Sequence, residues 1–326
     1  MAKAVLLPLL SMFALTTAQS AEFLKPTQTI ELAGVKGRID HMAMDVARQR
    51  LFVAALGNNT IEVIDIKENK LRRLTGCSKP QGLLYLPKPN LLFATCGEDG
   101  KVKIFDCDSF RVIKTLGSLP DADNVRYDAE ANRIYVGFGT GALAVVNAVS
   151  GVHTIDVKLE GHPEAFQLEP GGVGIYVNVP QARHVAVISR ASKAVVATWP
   201  LQNYEANFPM ALDAPGGRLF VGCGKPPKLV VLDTTSGKVV GEVDIGGDTD
   251  DLFYDAKRSR LYVSCGEGSI DVLVREGKDQ IKPLERITTR PGARTSLFVP
   301  EMDLFCVAVP QTAGRSAEIR VFRALP

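Results

Sequence analysis

Charge of one sign is scarce in this chain. Its 38 Lys and Arg stand against 36 Asp and Glu, a formal net charge of +2 over 326 residues. No Lys/Arg-rich run concentrates what excess there is, so the basic surface that nucleic-acid binding needs is not provided. Beyond the first twenty or so residues no apolar run is long enough to cross a bilayer. There is no CxxC and no CxxCH, which excludes the common zinc-ribbon, thioredoxin-like and c-type haem readings. There is also no GxSxG and no Ser or Cys in an evident nucleophile setting, and no stretch sustains a helical period.

What is present begins with a leader. MAK supplies a short basic start, AVLLPLLSMFALT is apolar with Pro8 inside it, and TTAQSAEF offers small residues for cleavage after Ser20 or Ala21. This pattern predicts a secretory signal peptide over residues 1–21, followed by one domain over 22–326, periplasmic or secreted. No Cys lies near the cleavage point, which argues against a lipid anchor.

Export makes the six cysteines informative, because disulfides persist in oxidising compartments. Cys96, Cys223 and Cys265 fall at one recurring strand position, in ATCG, VGCG and VSCG. They read as small buried hydrophobes. They are expected not to be bridged to one another, since packed sheets lie about 10 Å apart and a disulfide needs Cα atoms within about 7 Å. The state of Cys77, Cys107 and Cys306 stays open.

The recurrence behind those cysteines runs through the chain. One apolar phrase returns as LFVA at Leu51, LFAT at Leu92, IYVG at Ile134, IYVN at Ile175, LFVG at Leu219, LYVS at Leu261 and LFCV at Leu304, at intervals of 41 to 44 residues. Each unit holds four strand signals, in the first case HMAMD, RLFVAAL, TIEVIDI and KLRRLTG from His41 to Gly76, parted by turn-formers such as GNN and KEN. Such a period predicts an all-β fold, a seven-bladed β-propeller with four antiparallel strands per blade. The last unit ends at AEIRVFRALP with three strands, and TQTIELAG from Thr27 to Gly34 is expected to supply the fourth, removing an open edge.

The strand phrases with their VIDI and VLDT endings, together with GRIDHMA, GNNTIEVID and GARTSLFVP, resemble the YVTN-type, YncE-like seven-bladed propellers of bacteria over the whole mature chain. The resemblance, which extends to WD40-like repeats in general, implies an exported propeller assigned to binding. It carries no catalytic residue onto this sequence. The single Trp199 gives no sign of the repeated tryptophans of quinoprotein propellers.

Propellers bind at the channel or the loops around it, so the starts of the inner strands deserve comparison. At equivalent positions the seven units give Asp40, Gln81, Asp123, Glu164, Phe208, Asp250 and Thr295, then His41, Gly82, Asn124, Ala165, Pro209, Asp251 and Ser296. Arg38, His162, Asn207 and Arg294 flank these positions, and Arg126 lies two residues beyond Asn124. Residues that hold a blade together should repeat; these vary while staying mostly polar. The candidate ligand site is therefore Asp40, His41, Asp123, Asn124, Arg126, His162, Glu164, Asn207, Asp250, Asp251 and Arg294, against the plainer reading of a solvated rim. Because neighbours on a strand face opposite ways, only one of each adjacent pair is expected to look into the channel.

The carboxylates Asp40, Asp123, Glu164 and Asp250 suit either a divalent cation or a cationic ligand, with Arg38, Arg126 and Arg294 available for any acidic group it carries. His41 and His162 could exchange protons near neutral pH. Three functions follow: a non-enzymatic propeller binding a small ligand or protein at the channel mouth, a metal-dependent hydrolase or lyase of lactonase-like type using the acidic ring, and an inert scaffold. Neither a nucleic-acid partner nor membrane insertion is expected.

Overall fold

A computed structural model of the chain describes residues 22–326. The expected signal peptide lies outside the described residues. Alternation of strand and turn signals becomes seven four-stranded antiparallel sheets arranged as the blades of a propeller. The described residues contain no α-helix, only three single turns of 3-10 helix.

The N-terminal strand β1 (Leu24–Leu32) does not join the first blade. Blade 1 is β2 (Met42–Asp45), β3 (Arg50–Ala55), β4 (Thr60–Asp65) and β5 (Lys70–Leu74), paired in chain order. Five more blades follow the same order, their inner strands being β6 (Pro80–Leu86), β10 (Val125–Asp128), β14 (Phe166–Leu168), β18 (Glu205–Asp213) and β22 (Thr249–Asp255). Blade 7 is β26 (Ser296–Val299), β27 (Leu304–Val309), β28 (Ala317–Ala324) and then β1. The expected closure is thus present, with Leu24 opposite Ala324, Ile30 opposite Ile319 and Leu32 opposite Ala317. The strand begins three residues earlier than TQTIELAG suggested and ends before Gly34. A bulge between Pro26 and Gln28 accommodates the proline, which has no N–H to give the ladder.

The central strands are buried on both faces, which explains their continuous apolar runs: five of the six residues of β3 are fully covered. Seven apolar clusters fill the seven gaps between blades. The closure gap alone packs Ile30, Leu32, Ile319 and Val321 of blade 7 against Leu51 and Val53 of blade 1. Acidic residues at the far ends of the inner strands tie neighbours together. Asp128 of blade 3 meets Arg190 of blade 4 at 3.2 Å, and Asp213 of blade 5 meets Arg275 of blade 6. Asp45 holds Arg50 at 2.7 Å while that arginine donates to the Cys107 carbonyl of blade 2.

One cysteine reading is corrected. Cys96 does not act as a free buried thiol; it is disulfide-bonded to Cys77. Cys77 sits just before β6, whose Pro80 is the register partner of Cys96 at the end of β7 (Leu91–Cys96), so the two Cα atoms come within 5.3 Å. Cys223 and Cys265 are free and buried, as are Cys107 and Cys306, and none of the three equivalent cysteines is joined to another.

Candidate ligand site at the channel mouth

The links that lead into the inner strands, and the turns between second and third strands, meet at one mouth of the ring. Residues 38–41 precede β2, with the Asp40 N–H and the His41 carbonyl bonded to Ala54 of β3. Arg38 turns back, its guanidinium 2.9 Å from Asp40 and 3.8 Å from Asp250 of blade 6. Arg294, just before β26, lies 3.2 Å from Asp250 and 2.7 Å from Asp248. The Asp251 carboxylate accepts the Ser296 N–H at 2.7 Å and faces His41 Nδ1 at 3.4 Å. Thr295 donates to the Ile39 carbonyl at 3.2 Å. Blades 6, 7 and 1 are thus fastened to each other by ions and hydrogen bonds at the seam where the ring closes.

Across the ring, the Asn124 amide of blade 3 lies 3.3 Å from His41 Nε2. Burial pulls the His41 imidazole toward neutrality, but Asp251 and Asp40 outweigh it and lift its pKa to about 10. Asn124 places its Nδ2 at this distance and leaves its buried Oδ1 without a partner; because a charged imidazole donates from both nitrogens, turning the amide over would give the Nε2–H that oxygen as acceptor. Asp251, His41 and Asn124 form a bridge from blade 6 to blade 3.

Beside this bridge opens a cavity of about 650 Å³, lined by Arg38, Gln81, Asp121, Asp123, Thr140, Glu160, His162, Glu164 and Gln181 among others. A Cβ at Gly82 would collide with the Asp123 carbonyl oxygen, so glycine is what lets blade 3 approach blade 2 at this wall. His162 donates from Nδ1 to the Gly139 carbonyl at 2.6 Å, and its Nε2 lies 3.6 Å from Asp123. Its bond to Asp123 lifts the imidazole to about 9 against the cost of burial. Burial and the neighbouring Asp123 push Glu164 up to about 7, with His162 pulling the other way. Burial and Asp40 raise Asp250 to about 6, opposed by Arg294. Asp40 is also raised, by burial, against the pull of His41 and Arg38.

Of the expected site residues, Asp40, His41, Asp123, Asn124, His162, Glu164, Asp250, Asp251 and Arg294 converge on this mouth. Asn207 does not. It lies inside β18, fully buried between blades 4 and 5, and donates to Asn178 and to the His184 carbonyl at 3.1 Å each. Arg126 makes no ion pair at the mouth, donating to the Val125 carbonyl at 2.9 Å with its guanidinium 5.6 Å from the centre of the Phe166 ring, though Asp251 and Asp123 act on its charge. Burial lowers its pKa.

The one-of-each-pair expectation is corrected: Asp40 and His41 both join the cluster, as do Asp250 and Asp251. The first two precede their strand, and a bulge between Thr249 and Asp251 breaks the alternation for the others. Arg38, Arg294 and two imidazoliums are interleaved with the carboxylates. Asp121, Thr140, Glu160 and Gln181 were missed as cavity residues. Their signal was positional, since they lie on links and turns that the repeat places at the same mouth as His162.

Comparison with known proteins finds no matching family model and no matching curated protein. A solved structure described as "Crystal Structure of Mitotic Checkpoint Complex" superposes with a TM-score of 0.79, covering 100% of this chain and 99% of that one at 12% identity. The likeness is one of fold alone. The chain is a seven-bladed β-propeller.

Proposed function

We propose that this protein is an exported, non-enzymatic propeller of the YVTN type that binds a small polar ligand in the cavity at its channel mouth. The observation that carries the reading is that cavity: about 650 Å³, within the size range of small-molecule sites, walled by side chains that differ from blade to blade. The Cys77–Cys96 disulfide supports export, since such bonds persist in oxidising compartments. The propeller in the checkpoint complex belongs to an assembly, which fits a binding role for this scaffold. A metal-dependent hydrolase has less support. Arg38, Arg294 and the two imidazoliums already engage the carboxylates a metal would need, and among the described residues no group of three or more His, Cys, Asp or Glu is arranged to hold one.

The test is native mass spectrometry of the protein isolated from its own host. A small molecule retained by the natural protein and absent from a Thr140→Trp variant, which fills the cavity from an exposed turn, is the expected result. Equal retention by both would overturn the site. The same spectra report the mature mass, expected to lack residues 1–20 or 1–21.

A further inference from the structure

We infer that the mouth cavity receives an organic cation, an amine whose ammonium group docks on the Glu164 carboxylate; this rests on the mouth as the binding site. The other mouth carboxylates, solvent-exposed Glu160 apart, have their own cations. Asp40 has Arg38 at 2.9 Å, Asp248 and Asp250 have Arg294 at 2.7 and 3.2 Å, and Asp251 has His41 at 3.4 Å. Asp121 and Asp123 share His162 at 3.7 and 3.6 Å, while Glu160 is exposed to solvent and its nearest ring, His184 at 3.9 Å, is held toward neutrality by burial. Glu164 lines the same cavity and takes part in no ion pair and no side-chain hydrogen bond among the described residues. Half-buried in the cavity wall with no cation at ion-pair distance, Glu164 is an acceptor whose counter-ion the fold does not supply.

The rest of the lining favours nitrogen over metal. Gln81 donates its Nε2 to the Ala122 carbonyl at 3.0 Å, which leaves its amide oxygen free to accept. The Gln181 amide and the Thr140 hydroxyl offer further acceptors. An ammonium has three donors and is satisfied by a carboxylate and two such oxygens. Calcium wants six to eight converging oxygens, and here the other carboxylates are drawn apart toward their own partners. An anion would face Asp121, Asp123, Glu160 and Glu164 against only Arg38 and His162.

Docking an ammonium requires Glu164 ionised, so a proton competes with the ligand. The groups that set this competition are Asp123 and His162 beside it, with Asp250 and His41 across the mouth. With the carboxyl titrating near 7, affinity should fall on the order of 100-fold between pH 8 and pH 5.

The probe is millimolar putrescine, with butanediol as its uncharged counterpart and calcium chloride as the metal, read by calorimetry and thermal shift on the mature protein. Putrescine is expected to bind at pH 8, to weaken at pH 5, and to lose its effect in Glu164→Gln, with circular dichroism showing the variant folded; butanediol should do nothing. Putrescine binding that survives Glu164→Gln, or no putrescine response at all, would overturn the proposal. So would a calcium response that disappears in Glu164→Gln, which would mark a metal site. If putrescine fails while a retained molecule is still lost in Thr140→Trp, the amine assignment falls and the mouth stands. If Thr140→Trp changes neither, both fall.

Discussion

Replacing Glu164 by Gln should stabilise the protein, and by an amount that depends on pH. The carboxyl is raised from 4.5 to about 7 in the fold, so the folded state holds its proton more tightly than the unfolded chain does. Ionising it in place therefore costs stability. The cost is absent below about pH 4.5, grows as pH rises, and is complete above the folded value. At about 1.4 kcal/mol per pKa unit it reaches about 3 kcal/mol at pH 8 and less than about 1 kcal/mol at pH 5. Glutamine keeps the shape and cannot ionise, so the variant should escape that cost. With about 2.1 cal/mol/K of unfolding entropy per residue, 1 kcal/mol moves the melting point of a domain this large by roughly 1.5–2 °C, so the variant should melt several degrees higher at pH 8 and nearly level with the parent at pH 5. Thermal unfolding followed by circular dichroism across that pH range is the assay. A variant no more stable than the parent at pH 8, or a gap that ignores pH, would refute the account of Glu164 as a buried carboxyl without a counter-ion.

Deleting residues 22–34 removes β1 and exposes the surfaces that Leu24, Ile30 and Leu32 cover. At roughly 1.5–3 kcal/mol per side chain the loss should be about 5 kcal/mol or more, and a truncated protein that melts like the parent would sink the closure. Reducing the Cys77–Cys96 bond, which closes a sequence separation of 19, should cost about 3 kcal/mol; peptide mapping should find that pair and no bridge among Cys96, Cys223 and Cys265. Asp213→Asn removes the carboxylate facing the partly buried Arg275 between blades 5 and 6, which keeps only its bonds to Tyr254 and the Lys278 carbonyl, and should cost about 1–3 kcal/mol in denaturant titration; an unchanged midpoint would show that the clasp contributes little. His41 and His162 are lifted to about 10 and 9. Their stabilisation is full below about pH 6.5 and lost as pH rises through those values, so the protein should melt progressively lower from pH 7 to pH 10.

The blades were legible because every unit must solve the same problem. A strand buried on both faces needs an apolar phrase, and that phrase returned at Leu51, Leu92 and five further places. The missing fourth strand was legible for the same reason, since Ile30 and Leu32 alternate as a closing strand must. The disulfide was not. Cys77 stands outside any repeated phrase, and its approach to Cys96 depends on how β6 is entered, with a register shift between Pro80 and Leu83 that the strand pattern does not signal. Asn207 was misplaced by a related effect, because β18 begins early and a shift between Asn207 and Met210 turns that side chain into the gap between blades. The Asp–Arg ties of Asp128 and Asp213 join residues 62 apart in sequence, more than a whole repeat, so neither partner's unit reveals them.

Variation among the entrance residues pointed to a site but not to its layout, and the layout is where the chemistry lies. The charged starts on blades 6 and 1, with Arg294 before blade 7, meet one another. Arg38, Asp40, His41, Asp250, Asp251 and Arg294 pair with one another across the closure seam, so that half of the mouth is clamped. Blade 5 contributes Phe208 and Pro209, whose carbonyls accept from the buried Asn178. The open half is left over blades 2 to 4, where Gln81, Asp123, His162 and Glu164 surround the cavity and Arg38 reaches in from blade 1. A seven-fold repeat would place any ligand on the axis. This ring instead gathers its Arg–Asp pairs on one side and leaves Glu164 without an ion pair on the other, so a ligand drawn to the mouth should bind off the axis, against blades 3 and 4.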